Sequence, residues 1–245
     1  MYQLVEILLT KKMRKSNIMK GQMIKQFWIN FWRENKSFVI FLGLMFIFRS
    51  ACADWNTVPT GSMNPTIIEG DRIAVNKMAY DLRIPFTHIS LLKLGDPERG
   101  DIAVFDSIVS DKRLVKRVVG VPGDSVAMVN NQLFINGTAL EYDKVVEKII
   151  GKTTESIDQI EYLYNTSHIV RFSRTNNHAF ANFPSVIVPA GHYLMLGDNR
   201  DKSADSRVIG FVPRNEIVGR SRAVVMSINY DNFYLPRLSR FFKSL

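Results

Sequence analysis

The 245 residues leave room for one large or two small domains. With 46% hydrophobic and 11% aromatic residues the chain can bury a core, which excludes a wholly disordered protein. The formal charge of +9 at first suggests nucleic acid, but residues 1–53 carry nine Lys/Arg against Glu6 and Glu34, and the other 192 residues keep only +2. The basicity belongs to a leading arm, so no nucleic-acid partner is expected.

In chain order, residues 1–36 form this basic arm, within which Met13, Met19 and Met23 are alternative starts. "SFVIFLGLMFIFRSACADW" follows, with an unbroken apolar core at residues 38–48. Residues 37–54 are expected to be a transmembrane signal-anchor helix, with Arg49 snorkelling to the interface. Eight cations ahead of the run place the N-terminus in the cytoplasm and export the remainder. Two other readings compete: a signal peptide cleaved at "ACA", residues 51–53, and a helix buried in a soluble core. Arg49, three residues before Cys52, argues against lipid attachment there, and a single cysteine permits no internal disulfide.

From Trp55 onward the pattern is strand-like. "DRIAVNKM", "DIAVFDSIV", "RLVKRVVGV", "DSVAMV", "QLFING", "SVIVPA", "HYLMLGD" and "RAVVMSI" are short, β-branched and divided by Gly, Pro, Asp and Asn. Asn130–Asn131 reads as a hairpin turn. Residues 140–184 are polar with poor periodicity, as an inserted subsidiary β-lobe would be. The expected fold is mostly β: residues 55–245 form an antiparallel barrel- or sandwich-like catalytic domain behind the N-terminal helix.

The chemistry starts at "PTGSMNPT", residues 59–66. Gly61 before Ser62 and Pro65 after it suggest a hydroxyl displayed on a tight turn. Four histidines could serve as its base. His88, His168 and His178 fall in loop-like or polar stretches and read as surface residues, whereas His192 precedes a strand and stays open. The alternative base is a lysine kept neutral by burial. In "RLVKRVVG" a two-residue period puts Lys116 on a face with Leu114 and Val118, and Arg117 with Val115 and Val119. Arginine does not lose its proton, so burial of Lys116 is what could yield a base. Lys77, on a face with Ile73 and Val75, is the rival, and spacing leaves the two open.

"GDNRDKSADSR", residues 197–207, is too polar for a core strand. Asp198, Asp201 and Asp205 could suggest a calcium loop, but Arg200, Lys202 and Arg207 interleave and no closing Glu follows. Asp205 can pair with Arg207, with Ser203 and Ser206 orienting a neighbour. No metal or cofactor is expected.

"PTGSMNPT", "GDRIAVNK", "GDIAVFDS…RLVKRVVGVPGD" and "GDNRDKSADSR", in this order behind an apolar segment, resemble the boxes of bacterial type I signal peptidases over residues 55–219. The resemblance implies Ser62 as nucleophile and Lys116 as general base. It further implies Thr60 as an oxyanion hydroxyl, Ser203 orienting the lysine, and Asp205 with Arg207 as a supporting salt bridge. Val58, Met63 and Ile67 would line the substrate pocket, and Leu114 stands where some members carry Tyr. The implied activity is a Ser–Lys serine protease cutting signal peptides from exported preproteins after Ala-x-Ala-type sequences. The implied setting is a single pass in the bacterial inner membrane, with a periplasmic (extracytoplasmic) catalytic domain. The enzyme is expected to be monomeric and in contact with membrane lipid, with Trp55 and the tail "FYLPRLSRFF" as candidate contacts. Two rival classes are a self-cleaving Ser–Lys regulator, which would need a DNA-binding domain, and an anchored binding module in which Ser62 is a turn residue.

Overall fold

The computed structural model describes residues 2–87, 89–145, 156–174 and 180–245, with backbone alone for 2–20 and 22. His88, His178 and parts of the 140–184 stretch therefore lie outside the described residues. The chain divides into two compact units, Met1–Phe48 and Arg49–Leu245.

One helix, α1, runs over Tyr2–Ala51 for 50 residues, so the basic arm and the apolar run are continuous. The cause is local: this stretch has no proline, and Lys, Met, Leu, Ile and Gln make up nearly half of it. Among the described residues no helix is long and apolar enough to cross a membrane. The run at residues 38–48 rises only about 17 Å at 1.5 Å per residue, against about 30 Å of hydrocarbon, before Lys36 and Arg49 interrupt it. Phe38, Phe41, Leu44 and Phe48 are each 60–61% exposed, and Ile40, Met45, Phe46 and Ile47 are exposed as well. Within its unit the helix therefore buries none of these side chains.

The second unit is antiparallel β-structure. Its first strands are β1 (Ala53–Thr57), β2 (Asp71–Asn76), β3 (Asp81–Arg83), β4 (Ser90–Lys93), β5 (Ile102–Ser107) and β6 (Lys112–Gly120). Next come β7 (Ser125–Val129), β8 (Gln132–Ile135), β9 (Thr138–Ala139), β10 (Glu141–Lys144), β11 (Ser156–Leu163), β12 (Thr166–Ser173) and β13 (Phe183–Ile187). The last are β14 (His192–Leu196), β15 (Val212–Pro213), β16 (Ile217–Asn229), β17 (Leu235–Pro236) and β18 (Lys243–Ser244), with a short helix α2 (Ser206–Ile209).

The main sheet runs β1-β2-β16-β5-β6-β14-β15, and β17 and β18 also pair with β16. The expected barrel is not closed: the strand path ends at β1 on one side and β15 on the other, and these do not pair. Alternation along the strands builds a core on each face. Ile73, Val75, Ile102, Val104 and Val224 pack with Val58, Met63 and Ile67. Ala103, Phe105, Val118, Met195 and Ile217 pack with Tyr80 and Tyr193. Each fully buried Val, Ile or Phe contributes roughly 1.5–3 kcal/mol, so these clusters hold the strands in register.

A four-stranded sheet, β13-β7-β8-β9, covers a third cluster that Val126, Met128, Leu133 and Ile135 share with Leu194 and Leu196 of the main sheet. This is the sandwich-like part of the expectation. The β7–β8 turn is Asn130–Asn131, with φ of 51° and 67°, a left-handed geometry that asparagine tolerates and hairpins favour. A separate three-stranded sheet, β10-β11-β12, occupies the middle stretch. Its burial corrects one expectation: His168 is an interior residue, because β12 alternates His168, Val170 and Phe172 inward.

Candidate active site

Ser62 sits in a single 3-10 turn, Gly61–Met63, entered through an extended Thr60 (φ −135°, ψ 152°). The turn cannot swing freely because Met63 is only 1% exposed and packs with Val58 and Ile67. Thr60 makes no side-chain capping bond, so its hydroxyl is left available on the exposed side of the turn.

Lys116 lies in mid-β6 opposite Ala103 of β5 and is 2% exposed. Its Nζ donates to Ser62 Oγ at 2.7 Å. Burial lowers the ammonium from its ordinary 10.5 to about 8; the carboxylates of Asp205 and Asp198 oppose that shift, and Arg207 adds to it. Near neutral pH a usable fraction of this lysine is the free amine. Of the two lysines left open by spacing, this is the one the fold brings to Ser62. Lys77 instead donates to the carbonyls of Arg49 and Ser50 at the C-terminal end of α1, 3.6 Å from Asp54. His192 is engaged through Nδ1 with the Ala190 carbonyl.

Alternation sends Arg117 to the opposite face of β6 from Lys116. There it forms a bidentate pair with Asp198 at 2.9 and 2.8 Å and donates to Gly100 O at 2.7 Å. Asp198 begins the polar loop after β14, so this pair draws the loop against the strand that carries the lysine. A cavity of about 900 Å³ on this side, lined by Arg117, His168, Ser221 and Arg240 among others, includes neither Ser62 nor Lys116.

The loop touches the nucleophile turn directly. Asn199 N–H donates to Ser62 O at 3.1 Å, and Asn199 Nδ2 donates to Gly61 O at 2.9 Å. Gly197 is needed at its position, since a Cβ there would lie 2.2 Å from Ser203 Oγ and 2.5 Å from Ser62 O. Asp205 accepts from Gly197 N at 3.0 Å and from Arg207 Nε and Nη2 at 2.8 and 2.7 Å. Arg207 in turn donates to Arg200 O at 2.6 Å, so the expected Asp205–Arg207 pair is present and ties both ends of the loop.

Ser203 is buried beside Gly197, but its Oγ has no hydrogen-bond partner among the described residues, Lys116 included. Val58, Met63 and Ile67 come together in one cluster, while Leu114 packs in the other with Phe105 and Val118. The three aspartates face different partners: Arg117 for Asp198, Ser173 N–H for Asp201, Arg207 for Asp205. Among the described residues no cluster of three or more His, Cys, Asp or Glu side chains could hold a metal ion.

Several residues at this site had no signal in the sequence. Glu161 of β11 is fully buried and accepts from Arg200 Nη2 at 2.6 Å and from Tyr142 Oη at 2.5 Å. His168 Nε2 lies 3.2 Å from Glu161 and 3.8 Å from Asp198. Burial, the largest single effect, would raise the Glu161 carboxyl, but the Arg200 charge and the hydrogen bonds from His168 and Arg200 together outweigh it and hold the group below its ordinary range. Burial, helped by Arg117, lowers the His168 imidazole. Composition could not flag these residues, because a buried ion cluster uses the same residue types as a solvated loop.

The family described as "Signal peptidase, peptidase S26" matches residues 31–226. The chain is 38% identical to signal peptidase I of Pseudomonas fluorescens, covering 84% of this chain and 76% of that one. It is 36% identical to signal peptidase I of Pseudomonas aeruginosa, over 78% of this chain and 71% of the relative. For signal peptidase I of Rickettsia typhi the identity is 33%, over 95% of this chain and 98% of the relative.

Proposed function

The chain belongs to the signal peptidase family, peptidase S26, and on that premise we propose that it removes signal peptides from exported preproteins with a Ser62–Lys116 dyad. The observation that carries the dyad is the 2.7 Å contact between a hydroxyl on a fixed turn and a lysine that burial brings to about 8. Free-amine Lys116 takes the proton of Ser62 as Oγ bonds to the scissile carbonyl carbon. The resulting oxyanion is held by the Ser62 N–H and the unengaged Thr60 hydroxyl, a contribution of roughly 3–4 kcal/mol per donor in other hydrolases. Lys116 then protonates the departing amine as the peptide bond breaks. A water then gives a proton to Lys116 and attacks the acyl-enzyme carbonyl; the bond to Ser62 Oγ breaks, Lys116 returns the proton to Oγ, and the signal peptide leaves with its new carboxylate.

Arg117–Asp198 and Asp205–Arg207 keep the loop in place around the lysine. Ser203, buried with an unsatisfied hydroxyl next to Gly197, is suited to orient Lys116 when substrate tightens the site. For the cut after Ala-x-Ala we propose shallow pockets walled by Val58, Met63 and Ile67, while Leu114, which packs in the other cluster, lies on the face of β6 that carries Lys116. We place the enzyme in the bacterial inner membrane, with the apolar end of α1 as anchor, the N-terminus cytoplasmic and the catalytic unit outside. The helix stops at Ala51, so Ala53 and Asp54, expected in the anchor, belong to β1 instead. Support comes from the eight cations before the run and from apolar side chains exposed on all sides of α1. Trp55 and tail residues Phe233, Leu238 and Phe242 are exposed on the catalytic unit and suit a lipid interface. The test is detergent-solubilised full-length protein with a preprotein whose signal ends in Ala-x-Ala. Wild type should cut it and Ser62→Ala should not; wild-type turnover by Ser62→Ala ends this reading.

A further inference from the structure

The contacts around Asn199 extend beyond the dyad. A trans peptide holds its C=O and N–H in one plane, pointing opposite ways. The carbonyl of Gly61 and the N–H of Ser62 belong to the same peptide, so whatever fixes Gly61 O also aims the Ser62 N–H. Gly61 O accepts from Asn64 N at 3.1 Å, the turn's own bond, and from Asn199 Nδ2 at 2.9 Å. The next carbonyl, Ser62 O, accepts from Asn199 N. Asn199 thus holds two successive carbonyls of the nucleophile turn.

Asn199 itself is held between two buried ionic anchors. On one side Asp198 is paired with Arg117, and its carbonyl accepts from Arg171 N at 2.7 Å. On the other side Arg200, 1% exposed, is paired with Glu161. Glu161 comes from β11 of the three-stranded sheet, and Tyr142 of β10 donates to its second oxygen. Arg171 of β12 also bridges to Asn199 through the backbone. The middle lobe, which supplies no dyad residue, therefore reaches the oxyanion donor through Glu161, Arg200 and Asn199.

We propose that Asn199 is a positioning residue for the oxyanion hole, and that Glu161 is its anchor in the three-stranded lobe. Together they hold the Gly61–Ser62 peptide with the Ser62 N–H turned away from Asn199 and toward the scissile carbonyl. The inference rests on the reading of Ser62 as nucleophile.

The experiment uses full-length protein in detergent with the same preprotein, and determines kcat, KM, the pH profile and the melting temperature. Asn199→Ala should lower kcat on the order of 10- to 100-fold, less than loss of the donor itself, with KM unchanged. Asn199→Asp should be no better, because a carboxylate cannot donate to Gly61 O. The acid limb of the pH profile should stay in place in Asn199→Ala, since Lys116 keeps its contact with Ser62. Glu161→Gln should lower kcat less, and the double variant should match Asn199→Ala alone because both act through one peptide. If Glu161→Gln does not fold, Tyr142→Phe removes one bond to Glu161 and should show the same non-additive pattern. Wild-type kcat in Asn199→Ala or Asn199→Asp, effects that multiply, or a lower melting temperature with unchanged kcat per folded molecule would overturn the proposal. An inert Ser62→Ala beside a fully active Asn199→Ala sinks this inference alone, whereas an active Ser62→Ala sinks the dyad reading itself.

Discussion

Replacing Lys116 by methionine should abolish turnover and stabilise the protein, by an amount that depends on pH. Burial brings the ammonium to about 8 from 10.5. A difference of about 2.5 pH units corresponds to roughly 3 kcal/mol. Below pH 8 the lysine is charged in both the folded and the unfolded chain, so the folded state bears the whole penalty of a buried charge. Between pH 8 and 10.5 the unfolded chain binds this proton more than the folded one does, so wild-type stability rises with pH. Above 10.5 both states are neutral and the penalty is gone.

Methionine fills a similar volume without the charge, but gives up the bond to Ser62, about 1 kcal/mol. The net gain is about 2 kcal/mol at pH 6, or about 4–8 °C in melting temperature for a unit of roughly 200 residues. It should shrink to nothing or reverse near pH 10.5. Thermal melts of detergent-solubilised wild type and Lys116→Met at pH 6, 8 and 10 provide the check. A difference that is flat across pH, or a wild type more stable at pH 6, would refute the claim that this lysine is held against its charged form. The same ionisation should govern catalysis, with wild-type kcat/KM rising with pH toward a plateau around an apparent pKa near 8.

Two further outcomes are expected. Gly197→Ala introduces a Cβ 2.2 Å from Ser203 Oγ and 2.5 Å from Ser62 O, and should lower both stability, by about 1–3 kcal/mol, and turnover. Melts and preprotein cleavage together check it; unchanged values in both would mean that these segments do not touch. Dialysis against EDTA should leave turnover intact, because Asp198, Asp201 and Asp205 are each engaged with a different partner. Inhibition reversed by calcium would restore the metal-loop reading.

The strands were legible because each depends on local alternation. Ile73 and Val75, or Ala103 and Phe105, alternate with residues of the other face whatever the rest of the chain does. Closure of the sheet was not legible: it depends on whether β1 meets β15, a fact about strand order that no single stretch contains. Ser62 stood out because a glycine and a proline bracket it. Its base did not, because Lys116 and Lys77 both have apolar neighbours on their own face. What separates them is that β6 pairs with β14, bringing Lys116 within reach of a residue 54 positions earlier, while Lys77 ends at the carbonyls of α1.

The lobe's part in the site escaped the sequence for a different reason. A nucleophile turn needs Gly61, Ser62 and Pro65 at fixed spacing, and the loop needs Gly197, Asp205 and Arg207 at fixed spacing, because each group acts on neighbours in its own segment. Glu161 has no such constraint. It has to place one carboxylate under Arg200, and any strand arriving at that point could do so, 39 positions away or elsewhere. The requirement is therefore spatial and leaves no periodic or spaced trace. The polarity that made residues 140–184 look solvated belongs in part to the buried anchor of Glu161, His168 and Tyr142 beside the catalytic loop.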